Sequence, residues 1–72
     1  MDTEEKKQLA KNPKTTKEIL VKLAKDTNWD VRVGVAYNPN IPEETLAELA
    51  QDDDWGVSSA AIICFVRSNW EL

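Results

Sequence analysis

The sequence has no histidine, a single cysteine and only two glycines among its 72 residues. Each shortage removes a class of chemistry. One thiol cannot close a disulfide. With Cys64 the sole soft donor, a zinc or iron–sulfur centre lacks its ligand set. The Ser/His/Asp and Cys/His nucleophile arrangements are ruled out by the missing imidazole. No glycine-rich loop is present to cradle phosphates. The expectation is a chain that is not an enzyme, with no catalytic residue, cofactor, metal or small-molecule ligand. The longest apolar run, residues 60–66, is too short to cross a bilayer.

What is present reads as a globular chain. It is 42% hydrophobic and 31% charged with a net charge of −4, richer in apolar residues than a disordered segment. Its acidic start, Met1-Asp2-Thr3-Glu4-Glu5, differs from the basic opening of a signal peptide. Together with the unpaired thiol this suggests a reducing, cytoplasmic setting. Charge is unevenly placed. Residues 1–25 carry seven lysines against Asp2, Glu4, Glu5 and Glu18, while residues 26–72 carry only Arg32 and Arg67 against nine acids.

The chain repeats itself after 26 residues. Ala10-Lys11-Asn12-Pro13 matches Ala36-Tyr37-Asn38-Pro39. Glu18, Leu20, Leu23, Ala24 and Asp26 fall on Glu44, Leu46, Leu49, Ala50 and Asp52, and Trp29 and Val31 fall on Trp55 and Val57. Ten of the 22 positions from 10 to 31 are identical to their counterparts. A further copy would place Asn-Pro at 64–65, where Cys64-Phe65 stands instead.

Each copy is expected to form two short helices. Thr15 and Glu18 have the spacing of a capping box, followed by the stripe Ile19, Leu20, Leu23 and Ala24. In the second copy Pro42 suits the first helical position, Glu43 and Glu44 suit the helix dipole, and Leu46, Leu49 and Ala50 renew the stripe. Ile41 stands where the capping threonine would be, at an expected cost of about 1 kcal/mol. Residues 31–37 alternate like a strand, yet Val57, Ala60, Ala61, Cys64 and Phe65 lie on one helical face. Two copies of one repeat share a fold, so both segments are read as helical, capped by Asn28 and Asp54. Asn38 is read as a left-handed stop ahead of Pro39. Gly34, aligned with Ala60, marks a place where helices approach closely.

The run Ala36-Tyr37-Asn38-Pro39-Asn40-Ile41-Pro42-Glu43-Glu44-Thr45-Leu46-Ala47-Glu48-Leu49-Ala50-Gln51-Asp52, with Val31-Arg32 before it, resembles the leucine-rich repeat variant family across about residues 9–61. The resemblance implies an all-α fold, a short right-handed α-solenoid of about two and a half two-helix repeats, with α-helices alternating with short α or 3₁₀ helices. It implies scaffold rather than chemistry. The chain departs from the pattern at Ile41, at Ser58 where arginine would follow Val57, and at residues 64–65. A single domain over residues 1–72 is expected. Residues 1–8 are free to fray, the repeats run over about 9–34 and 35–60, and residues 61–72 act as a cap or interface.

The last helix carries the main candidate surface. Val57, Ala60, Ala61, Cys64 and Phe65 supply a core stripe, and Ile62, Ile63 and Val66 on the other side, with Trp70 following, make the helix apolar all round. A terminal repeat ordinarily turns a polar face outward, and the contact is assigned to Ile62, Ile63, Phe65, Val66 and Trp70. The competing reading is a chain that folds back over its own end. A twofold homodimer through residues 57–70 is preferred, because so small a core gains from a partner. The alternative is a nucleic-acid face of Lys7, Lys11, Lys14 and Lys17. An acidic isoelectric point and the absence of a recognition motif make nucleic acid the weaker choice. Trp29 and Trp55, in register, are expected to pack between repeats. Residues 52–54 lack the glycine and spaced acids of a calcium loop, and Cys64 is expected to fill the core.

Overall fold

The computed structural model describes residues 2–70, with side chains described through Arg67. Five helices follow one another: α1 (Thr3–Lys11), α2 (Lys17–Leu23), α3 (Trp29–Tyr37), α4 (Glu43–Leu49) and α5 (Trp55–Trp70). No strand occurs among the described residues. The longer helices start alike, on side chains spaced by the repeat. Asp2 Oδ1 accepts from Glu5 N at 2.9 Å. Asn28 Oδ1 accepts from Asp30 N at 2.9 Å, and Asp54 Oδ1 from Gly56 N at 2.8 Å and Val57 N at 3.2 Å. A short polar acceptor facing otherwise orphaned amides is what starts each helix. Asp2 therefore starts a helix through residues 3–8, a segment read from the sequence as free to fray.

The alternating valines of residues 31–37 form an α-helix. Val31 and Val35 are fully buried, and Gly34 and Ala36 nearly so, because α3 lies between α1 and α5 and is wrapped by α2 and α4. Burial on several sides overrides the β-preference of valine. The core joins Ala10 of α1, Leu20 and Leu23 of α2, Leu46 and Leu49 of α4, and Val57, Ala60 and Ala61 of α5 to α3. A Cβ at Gly34 would stand 3.0 Å from Ala10 Cβ, so glycine permits the close α1–α3 approach.

Two local expectations are corrected. The residue capping α2 is Thr16, whose Oγ1 accepts from Ile19 N at 3.4 Å; Thr15 is buried and donates its hydroxyl to Leu9 O at 2.6 Å. The counterpart of Thr16 is Pro42, which caps α4 without a side-chain hydrogen bond. The cap of the second copy is thus missing through Pro42, while Ile41 replaces a tertiary hydrogen bond. Asn38 ends α3 in extended backbone, at φ −73° and ψ 126°, and no non-glycine residue has positive φ among the described residues.

The stop at Asn38 works instead through its side chain, which is 2% exposed. Its Nδ2 donates to Ala10 O at 2.7 Å and Asn12 O at 2.9 Å, and its Oδ1 accepts from Asn40 N at 2.8 Å. Asn40 Nδ2 adds a bond to Thr15 O at 2.7 Å. One short Asn-Pro-Asn segment thereby satisfies the carbonyls that end α1 and ties the second copy to the first.

Candidate interaction surfaces

A ladder of charge runs along the helix starts. Lys6 Nζ lies 2.8 Å from Asp26 Oδ2. Twenty-six residues on, Arg32 Nε lies 3.0 Å from Asp52 Oδ2, Nη2 donates to Asp52 Oδ1 at 3.4 Å, and Nη1 donates to Asp26 O at 2.6 Å. The buried Nε–H does not point along a hydrogen bond, so that contact is an ion pair only. The next position is Ser58, whose hydroxyl turns back to Trp55 O at 3.2 Å. The ladder ends where the repeat ends.

Lys6 draws the Asp26 carboxyl below its ordinary value of 3.8, first by its hydrogen bond, with the Asn28 amide adding to it. A depressed carboxylate stabilises the fold above its unfolded pKa, and that contribution disappears as pH falls through the lower folded value. Urea midpoints measured at about pH 6 and about pH 2.5 are expected to fall less in Lys6→Met than in the parent chain. Equal falls in the two proteins would assign the acid sensitivity to other carboxylates.

The 26-residue unit that contains whole helices is α1 with α2, then α3 with α4, then α5 alone. Its middle copy runs from Trp29, the first residue of α3, to Asp54, the cap of α5. Residues 29–54 match the leucine rich repeat variant family. The matched leucine rich repeat variant segment coincides with this middle unit, flanked by a near-copy before it and a truncated one after it. No curated protein and no solved structure matches the chain.

On α5, Val57, Ala60 and Ala61 are buried, and Cys64 and Phe65 are half-buried against the core. Phe65 thus joins the inward stripe, because it lies eight residues beyond Val57. Ile62, Ile63 and Val66 are 48%, 49% and 52% exposed and leave one face of α5 apolar and open. The side chain of Trp70, assigned to the same surface from the sequence, lies outside the described residues. A notch of about 290 Å³ lies between the end of α3, the start of α4 and the middle of α5, bordered by Ala36, Asn38, Ile41, Cys64 and Phe65. Burial pushes the Cys64 thiol up, with Arg67 pulling the other way, so it stays protonated near neutral pH.

The lysines divide. Lys7 pairs with Asp30 at 3.1 Å and with Glu4 at 3.7 Å, and the Asp30 contact raises its pKa. Lys11, Lys14 and Lys17 are exposed around the turn from α1 to α2, with Lys17 sharing a depression with Glu43 and Glu44. The four therefore do not form one cationic face. Trp29 and Trp55 are 54% and 83% exposed, which overturns the expectation that they pack between repeats. Each occupies the first position of its helix, at the edge of the fold. Identical spacing was read as a packing signal, but a repeat keeps surface positions in register as well. Among the described residues no cluster of three potential ligands could hold a metal, and no helix is long and apolar enough to cross a membrane.

Proposed function

We propose that the protein is a short right-handed helical solenoid without catalytic chemistry, serving as a protein-interaction module that pairs with itself through α5 in a reducing, cytoplasmic setting. The observation that carries this reading is the open apolar face of Ile62, Ile63 and Val66 on the helix where the repeat pattern breaks off. Such a face, on a chain with so small a core, gains from burial at about 25 cal/mol per Å² of apolar area, less the cost of association. A twofold contact places the same three residues of each copy together and closes at two subunits.

Light scattering after size exclusion is expected to give a dimer whose mass resists salt, since its contact is apolar. Ile63→Asp is expected to give a monomer with the helical content of the parent, because Leu20, Leu23, Leu46 and Leu49 lie away from the substitution. A variant that still elutes as a dimer would remove α5 as the contact. The nucleic-acid reading draws less support: Lys7 is held by Asp30, and glutamates accompany Lys17.

A further inference from the structure

Trp29 and Trp55 carry an inference separate from the α5 contact. They occupy the same position one repeat apart, at the starts of α3 and α5, which pack against each other. Packed helices lie about 8–10 Å apart, so the first residues of α3 and α5 share one edge of the fold. Both are largely in water, although tryptophan has more area to bury than any other side chain. Exposed indoles in register are a strong reason to expect a ligand, since tryptophan concentrates at the energetic centres of interfaces.

The chemistry around them selects the ligand. Asp30 follows Trp29, and Asp53 and Asp54 precede Trp55. Asp2 and Glu4 mark the matching end of α1. Lys7 pairs with Asp30 and Glu4 there, so one ammonium stands against five carboxylates and the edge keeps a net negative charge. Aromatic faces flanked by carboxylates attract ammonium and guanidinium groups, which stack on the ring while their charge meets the acids. The same acids repel phosphate, which removes nucleic acid as an occupant. A second copy fits less well, because its exposed lysines Lys11, Lys14, Lys17, Lys22 and Lys25 are accompanied by Glu18, Glu43 and Glu44.

We propose that Trp29 and Trp55, with the carboxylates beside them, form a docking surface for an arginine- or lysine-bearing segment of a partner protein. The test is titration of fluorescein-labelled octa-arginine with the full chain at low and moderate salt, read by anisotropy. Trp29→Ala/Trp55→Ala is expected to weaken binding about tenfold, the scale of two cation–π contacts. Trp29→Phe/Trp55→Phe retains aromatic faces and is expected to recover part of that loss. Glu48→Gln, away from the edge, is expected to bind like the parent.

Binding within twofold of the parent by the double alanine variant would overturn the proposal, leaving charge alone as the cause. So would the absence of saturable binding below about 1 mM, or equal binding of labelled oligothymidine with the same dependence on tryptophan. A tryptophan emission shift driven by protein concentration alone, and abolished by Trp55→Ala, would make the occupant a second copy and likewise overturn it. The substituted positions are exposed, and circular dichroism checks that each variant is folded.

Discussion

Asn38→Ala is expected to cost about 3 kcal/mol and to lower the melting temperature by about 15 °C. The carboxamide of Asn38 is buried and is bonded on both sides, giving two hydrogen bonds to the end of α1 and taking one from Asn40 N. Alanine abolishes all three and leaves Ala10 O, which gains no water in exchange, without its donor. A buried acceptor stripped of its partner costs more than a hydrogen bond contributes when made, which is why the loss exceeds that of an ordinary surface truncation. The counterpart Asn12 is exposed and makes a local bond to Lys14 N at 2.9 Å. Asn12→Ala is therefore expected to cost under about 1 kcal/mol. Thermal denaturation of the two variants side by side checks the contrast. Equal losses would mean that the asparagines matter for their turns alone, not for joining the copies.

Arg32→Met is the second large effect expected, at about 2 kcal/mol. Arg32 joins two successive loops, through Asp26 O and the Asp52 carboxylate, and both members of the pair are mostly buried, at 16% side-chain exposure. Removing the guanidinium leaves Asp52 desolvated beside an apolar chain. Neutralising the partner while keeping its oxygen for Asp54 N, which donates to Asp52 Oδ1 at 2.8 Å, removes that penalty, so Arg32→Met/Asp52→Asn is expected to recover most of the loss. Chemical denaturation of the two single variants and the double variant closes a mutant cycle, and additive losses would show that the residues act independently. The matching Lys6–Asp26 pair is more exposed, with Lys6 at 33%, and Lys6→Met should cost well under about 1 kcal/mol.

The repeat and its caps were legible because they rest on short-range chemistry. A polar acceptor two or three residues before the amides it serves can be read directly, as at Asn28 and Asp54. The apolar stripes of α2, α4 and α5 follow from helical spacing, and the small residue at 34 signalled a close approach. The candidate surfaces were legible in part. Ile62, Ile63 and Val66 could be assigned to an outward face, whereas Phe65, which shares the helical face of Val57, was also counted in the contact and lies half-buried against the core. Lys7 is exposed by pattern and was grouped with the other lysines. Its engagement depends on Asp30, 23 residues away on another helix.

By itself, the sequence determined the 26-residue period, the starts of α3 and α5 and the set of residues able to form a core, since these follow from the repeat and from neighbours within about one helical turn. It also excluded the chemistry that needs imidazole or paired thiols. The helix at the valines of α3 was legible only through the second copy of the repeat. Tertiary structure alone decided that Thr15 binds Leu9 while Thr16 caps, that Asn38 joins the copies, and that the tryptophans face water. These outcomes turn on partners brought together by packing. The amide of Asn38 meets a carbonyl 28 residues earlier in the chain, a relation that no local spacing encodes.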